Sequence, residues 1–378
     1  MRGAGRYVDD IVLPDMLSVV FVRSPHAHAR IRRIDARAAL ALPGVVAVVT
    51  AADVARVAPL TPRLDGAGFT PTAWPALAED VVSFAGEAVA AVVAADRYVA
   101  ADARERVVVE WEPLPAVTSA DAALAAGRVL FRRAERHGDV DAAFAAADLI
   151  VAETFTHGRC AASPLEPRGV VADWDGATLT LHASTQTPSI LRAAVAAAFG
   201  LAESRVRVVV PDVGGGFGLK MHVFPEDLAL AAVARRLRRP AKWIEERREN
   251  LSAASQAREQ RVDVEVAAAA DGRILALRAR ALSDAGAYHV YPVTQALEPL
   301  GTMAILPGPY LTPAYAWEAC AVATHKPPLG AYRGVGMTMG AFVMERALDL
   351  VAARLALDPA EVRRRNLIPR EAYPFTSA

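Results

Sequence analysis

The chain is 378 residues long and 53% apolar, and its 42 basic and 42 acidic residues cancel to a formal net charge of zero at pH 7. That supplies enough apolar material for two or three packed domains and excludes a disordered chain. The charge balance offers no basic footprint for nucleic acid, because the densest cluster, Arg235-Arg236-Leu237-Arg238-Arg239, falls at the end of a helical pattern where cations suit the dipole.

In chain order, residues 7–115 read as one α/β unit, with strands at 17–23, 45–50 and 88–93, a helix near 97–106 and a last strand at 107–111. Glu112-Pro113-Leu114-Pro115 follows, and because proline cannot donate to a ladder the chain is expected to leave the unit there. The alanine-rich stretch 116–137 reads as a linker with a helical piece. From Gly138 a second, larger α/β or α+β unit begins. Strands at 169–172 and 178–183 flank Asp173-Trp174-Asp175-Gly176, whose Asp-Gly pair signals a hairpin. A helix starts at Pro188 and stops at Gly200, and a second hairpin joins 261–269 to 273–282 through Asp271-Gly272. The closing helix, 339–356, has apolar residues at helical spacing with Glu345, Arg346, Asp349 and Arg354 between them. The fold class expected is therefore α+β or mixed α/β.

No apolar run reaches the about 18 to 20 residues that span a bilayer. Met1 to Asp10 contains Arg2, Arg6, Asp9 and Asp10 without an apolar export core, so a cytoplasmic location is expected. Only Cys160 and Cys320 occur, far apart and without a C-x-x-C partner. They exclude a disulfide scaffold and a multi-cysteine zinc site and read as small buried hydrophobes; an iron–sulfur cluster, which usually takes four thiolates, would have to lie on another chain.

Gly214-Gly215-Gly216-Phe217-Gly218-Leu219-Lys220 lies between the apolar run 206–210 and the helix-like stretch 225–237. Glycines permit positive φ and lack a Cβ, so backbone N–H groups can crowd an anion near the positive end of the following helix. A dinucleotide fingerprint fails on spacing: counted from Gly214 the third glycine of G-x-G-x-x-G falls on Leu219, and from Gly216 on Met221. No G-x-x-x-x-G-K-S/T can be written, since Met221 follows Lys220. A nicotinamide dehydrogenase loses its support, while a structural turn and a binding loop both stay open. Two further segments, Ser184-Thr185-Gln186-Thr187-Pro188 and Gly330-Ala331-Tyr332-Arg333-Gly334-Val335-Gly336, add the amide donors and fixed cation that a large anionic cofactor needs. Each has an ordinary alternative: Gln186 could cap the helix after Pro188, and Arg333 could be a buried ion-pair partner.

The ordered segments Gly5-Arg6-Tyr7-Val8-Asp9-Asp10, Ser24-Pro25-His26-Ala27-His28-Ala29, Gly86-Glu87, Trp111-Glu112-Pro113-Leu114-Pro115, Ser184-Thr185-Gln186, Gly214 to Gly218 and Ala331-Tyr332-Arg333-Gly334 resemble the molybdenum-binding subunit of the xanthine dehydrogenase family. The resemblance covers nearly the whole chain. It implies an a/b hammerhead domain over 1–118, a linker over 119–137 and the first of two molybdopterin-binding domains over 138–378. It further implies a molybdenum–molybdopterin cofactor, in the cytosine dinucleotide form, whose metal is held through the pterin dithiolene and not by protein ligands. Gln186 would donate its amide to the apical oxo group. Gly215, Gly216, Phe217 and Gly218 would approach the metal ligands and pterin, and Ala331, Tyr332, Arg333 and Gly334 would form the facing loop. Arg333 would be the catalytic residue that meets the substrate.

The reaction implied is water-derived hydroxylation of an electron-poor carbon, with electrons passed to a 2Fe–2S cluster and FAD on partner subunits. The family's general-base glutamate belongs to a Gly-Glu motif of the second cofactor domain, which this chain does not match. Glu87 follows Gly86 in the first domain, and Glu166 in Leu165-Glu166-Pro167 matches a non-catalytic segment. Arg365-Asn366-Leu367-Ile368-Pro369 resembles the boundary between the two cofactor halves, so the expectation is a half-subunit, inactive alone, whose other half comes from a fuller or a separate chain. A non-catalytic remnant is the alternative. Gly334 stands where the carbon monoxide branch has a copper-holding cysteine, and Met221 where purine enzymes have a glutamate. Both departures favour an aldehyde or N-heterocycle, and Met337-Thr338-Met339 gives the wall beyond the arginine loop a more apolar character.

Overall fold

The computed structural model describes residues 3–62, 66, 68–292 and 296–375. Every residue of the apolar strand Ala88–Ala94 is buried, as expected for a strand covered on both faces. It lies in a seven-stranded sheet with the spatial order Val206–Val209, Leu179–Ala183, Gly169–Trp174, Ala241–Ile244, Leu17–Arg23, Ala88–Ala94, Val45–Thr50. Strand Leu17–Arg23 pairs antiparallel with Ala88–Ala94 and parallel with Ala241–Ile244, through Leu17 opposite Ala241 and Ser18 opposite Lys242. One sheet thus runs through both sequence regions.

A buried charge cluster sits where they meet. Arg168 donates to Glu245 Oε1 from Nε and Nη2 at 2.9 and 2.6 Å, and to Glu226 Oε2 from Nη1 at 3.3 Å. Arg23, from the first strand, donates to Glu226 Oε1 at 2.9 Å and Glu249 Oε1 at 2.8 Å. Burial works against the Glu226 carboxylate, but the two guanidiniums outweigh it and hold its pKa down at about 2.

A second sheet has five strands in the order Val129–His137, Tyr315–Ala323, Ile274–Gly286, Ala257–Ala268, Leu149–Cys160. Its inner face buries Val262, Val264 and Val266 at alternate positions under helices Leu297–Ile305 and Met337–Leu355, which contribute Met303, Val343, Met344 and Leu348. The third sheet has the order Val81–Val82, Ala29–Asp35, Val108–Pro113.

Helix Pro225–Leu237 occupies the span read from the sequence, and Pro188–Phe199 ends at Gly200 with φ 61°. The last strand of the first unit runs on to Pro113, paired with Ala29; it is an edge strand, where a proline costs no ladder bond. The stretch expected as a linker holds helix Ala120–Ala125 and also a nine-residue strand, Val129–His137, paired with Tyr315–Ala323. Cys320 is buried, Cys160 is half-buried, and both are free thiols. Among the described residues no helix is long and apolar enough to cross a membrane.

Candidate functional site

The chain leaves Val206–Val209 at the sheet edge and forms the glycine loop before the short turn Leu219–Met221. The loop does not abut the following helix. Three residues intervene, and the start of Pro225–Leu237 is filled by its own acid, Asp227 Oδ2 accepting from Phe224 N–H at 2.9 Å. The glycine loop therefore stands apart from the helix start, and its own N–H groups are the donors at the site.

Within the loop Gly215, Phe217 and Gly218 have φ of 98°, 55° and 102°. Phe217 is a bulky residue in the left-handed region, 47% exposed, and that conformation costs about 1–3 kcal/mol and persists only where the surroundings impose it. Each of three glycines touches a different neighbour. A Cβ on Gly214 would lie 2.5 Å from Glu166 Cβ, one on Gly216 2.5 Å from Gln186 Oε1, and one on Gly218 2.8 Å from the Ala331 carbonyl oxygen. The loop is thus wedged between the Glu166 turn, the Gln186 segment and the arginine loop, with no room for a side chain at Gly214, Gly216 or Gly218.

Gln186 does not cap the adjacent helix, whose N-cap is Thr187. Its Oε1 accepts from Gly218 N–H at 3.0 Å, and its backbone N–H donates to the Lys220 carbonyl at 2.9 Å. With Oε1 engaged, its NH2 group makes no hydrogen bond among the described residues. Glu166 anchors the arrangement from behind: its Oε2 accepts from Ser184 Oγ at 2.7 Å, Gly214 N–H at 2.7 Å and Lys220 Nζ at 2.8 Å. Burial pushes the Glu166 carboxyl up, but these three donors prevail and hold it below its ordinary value.

The arginine loop is held through its backbone. Arg333 N–H donates to the Phe217 carbonyl at 2.8 Å, linking the two loops directly. Ala331 N–H donates to His222 Nε2 at 2.7 Å, and Gly336 N–H to Glu298 Oε2 at 2.8 Å. Arg258, itself at φ 76°, donates to the carbonyls of Gly334, at 3.0 Å, and Arg333, and its guanidinium carbon lies 5.2 Å from the Tyr332 ring centroid. Accepting at Nε2 fixes His222 as the neutral ring, and burial pushes its pKa down to about 4. Burial likewise raises the Glu298 carboxyl. The Arg333 side chain, by contrast, is exposed and makes no ion pair or hydrogen bond among the described residues, so it is not the buried ion-pair partner that the sequence left open.

The structure thus brings Gln186, Gly215, Gly216, Phe217, Gly218, Ala331, Tyr332, Arg333 and Gly334 into one site. Glu166, Lys220, His222, Arg258 and Glu298 went unassigned in the sequence, although an apolar turn carrying Lys220 already demanded a carboxylate partner. Glu87 lies elsewhere, accepting from Ser83 N–H at 2.6 Å, with burial pushing it up to about 7.

The donor set fits an anionic pterin cofactor. The N–H groups of Gly215, Gly216 and Phe217 donate to nothing among the described residues, and Gly216 is buried; successive free N–H groups in a tight turn form an anion-binding nest. The Gln186 NH2 and the Arg333 guanidinium add a neutral donor and a permanent charge. Among the described residues no group of three or more His, Cys, Asp or Glu side chains gathers to hold a metal ion directly.

Comparison with known proteins agrees with this reading. Residues 2–115 match the aldehyde oxidase and xanthine dehydrogenase a/b hammerhead domain, and 125–367 match the molybdopterin cofactor-binding domain. The nicotine 6-hydroxylase large subunit of Paenarthrobacter nicotinovorans is 41% identical over 100% of this chain and 48% of its own length. The carbon monoxide dehydrogenase large chain of Afipia carboxidovorans is 39% identical over 99% of this chain and 49% of its own. The crystal structure of quinoline 2-oxidoreductase from Pseudomonas putida 86 superposes with a TM-score of 0.96 at 44% identity, over 99% of this chain and 49% of that one. The chain spans about half the length of the curated relatives it matches. A glycine-rich loop facing an exposed arginine therefore stands in a known lineage, and the chain belongs to the molybdopterin-binding large subunits of the xanthine dehydrogenase family.

Proposed function

We propose that this chain is the molybdenum-cofactor-binding subunit, or the N-terminal half of one, of a hydroxylase that places a water-derived oxygen on a ring carbon of an N-heterocycle. Aldehydes are the second substrate class. The observation that carries the reading is the exposed Arg333 guanidinium, without a partner among the described residues and tied through its own backbone N–H to the loop whose N–H donors would hold the cofactor.

When bound, the molybdenum–pterin group, in its cytosine dinucleotide form, would supply the oxygen-transfer and two-electron chemistry. The N–H groups of Gly215, Gly216 and Phe217 and the Gln186 NH2 would hold it. Arg333 orients the substrate and stabilises the negative charge that develops on it, a task suited to a planar cation that never loses its proton. Phe217 and Met337, 47% and 55% exposed, offer apolar surface to an aromatic ring. Two of the similar proteins are named for nicotine and quinoline, which favours the heterocycle. Carbon monoxide fits less well despite the similarity to its dehydrogenase: Gly334 is at φ 82°, and a Cβ there would lie 2.9 Å from Thr338 Cγ2, so a copper-holding cysteine at this position would be strained.

Electrons would pass to 2Fe–2S and FAD partner subunits, and the general base would come from the second cofactor half, on the same or a separate chain. Glu87 is committed to Ser83, and Glu166 to Lys220. The chain by itself is accordingly expected to show no turnover, even when loaded. The test is metal and pterin analysis of untagged protein from its native host, with co-purifying chains identified by mass, then turnover assays with quinoline, nicotine and aldehydes. About one molybdenum per assembly with iron–sulfur and flavin chains supports the reading; a lone chain without molybdenum overturns it.

A further inference from the structure

We infer that Glu166 is a positioning residue, which locks the glycine loop and the Gln186 segment into one rigid unit so that both present their donors to the cofactor in fixed register. The inference rests on the function proposed above. A single carboxylate oxygen, Oε2, receives three donors from three places in the sequence: the hydroxyl of Ser184, the N–H of Gly214 and the ammonium of Lys220. Two residues after Ser184 comes Gln186. Between Gly214 and Lys220 lies the loop with its free N–H groups.

The lock closes on itself. Glu166 N–H donates to the Gly214 carbonyl at 3.0 Å, Gln186 N–H to the Lys220 carbonyl at 2.9 Å, Thr185 Oγ1 to the same carbonyl at 3.1 Å, and Gly218 N–H to Gln186 Oε1 at 3.0 Å. Each segment is thereby tied to the other at two ends, with the carboxylate at one end and the carboxamide at the other. Lys220 is a buried cation paired with this carboxylate, so the charge is not interchangeable with a neutral acceptor. Gly214 approaches so closely that a Cβ there would lie 2.5 Å from Glu166 Cβ.

The test uses hydrogen–deuterium exchange and molybdenum content on the protein purified from its host in whatever assembly it forms. Glu166→Gln is expected to raise exchange at the Gly214, Gly218 and Gln186 amides together, by about tenfold or more. Ser184→Ala changes no charge and touches only one of the three donors; it is expected to raise exchange at Gln186 and also at Gly218, in the other segment. Glu166→Gln/Lys220→Met removes the stranded ammonium and is expected to recover thermal stability relative to Glu166→Gln, yet to leave exchange high and molybdenum down by about tenfold. Unchanged exchange at Gln186 in all three variants would overturn the coupling. Recovery of both protection and molybdenum in the double variant would reduce Glu166 to a counter-charge and overturn it as well. If the wild-type protein carries no molybdenum while the exchange responses appear as expected, the functional proposal fails and the lock stands.

Discussion

The glycine loop and the arginine loop face each other with free donors, but they are held by opposite means. The glycine loop is pinned by a carboxylate that must stay charged, Glu166 beside Lys220. The arginine loop is pinned by an imidazole that must stay neutral, His222 under Ala331, and by a guanidinium that cannot change, Arg258 under Arg333 and Gly334. Strength and sensitivity are thereby separated: one wall of the site has a fixed ionic anchor, and the other an anchor that acid can remove.

The largest effect should come from Arg258→Met. It removes two donors from the arginine loop and leaves Glu298, 3.6 Å from Arg258 Nη1, as a buried acid without its cation. Chemical denaturation should show a loss of about 3–5 kcal/mol, with raised exchange at residues 331–336 and little change at 214–218; equal loosening of both loops would break the comparison.

Acidification comes next. His222 is held at about 4 in the folded chain against about 6.5 when unfolded. Between these values the unfolded chain binds the extra proton, so stability rises with pH. The contribution is full above about pH 6.5 and is lost as pH falls toward about 4, amounting to roughly 3 kcal/mol. Exchange measured from pH 7 to 5 should loosen 331–336 before 214–218, and His222→Asn, which keeps a non-titrating acceptor, should flatten that response.

Gly218→Ala is a smaller insult: positive φ and a Cβ 2.8 Å from the Ala331 carbonyl oxygen should cost about 1–3 kcal/mol. It would sharpen the comparison by forcing the two loops apart at their contact. Arg333→Met should change stability least, within about 0.5 kcal/mol, because the guanidinium is exposed and has no partner among the described residues. In the assembled enzyme the same change should lower kcat/KM by about a hundredfold or more, and a stability loss comparable to that of Arg258→Met would show that Arg333 holds the fold.

What was legible in the sequence was what local chemistry dictates. Asp175-Gly176 makes its hairpin with Asp175 Oδ1 accepting from the N–H groups of Ala177 and Thr178, and Pro188 and Gly200 bound their helix as proline and glycine do. The glycine loop could be recognised because crowding against Gln186 and Ala331 leaves a compositional trace. Its anchors could not. Glu166 and Lys220 are 54 residues apart, and nothing local marks either as the other's partner. Strand Ala29–Asp35 escaped notice because its arginines face solvent beside Glu110 and Glu112 and leave no apolar alternation. The glycine loop was expected beside the start of the following helix, but residues 222–224 separate the two.

The single sheet that runs from Leu17–Arg23 into Ala241–Ile244 bears on how such a protein can be inherited or engineered. A recombination junction between the hammerhead and cofactor segments looks convenient in an alignment. It would nevertheless separate hydrogen-bonded neighbours and hand each recombinant an Arg23 or a Glu249 matched to a different parent. Exchangeable modules in this lineage are therefore expected to carry both segments together, and chimeras made at that junction should need compensating changes on each side before they assemble.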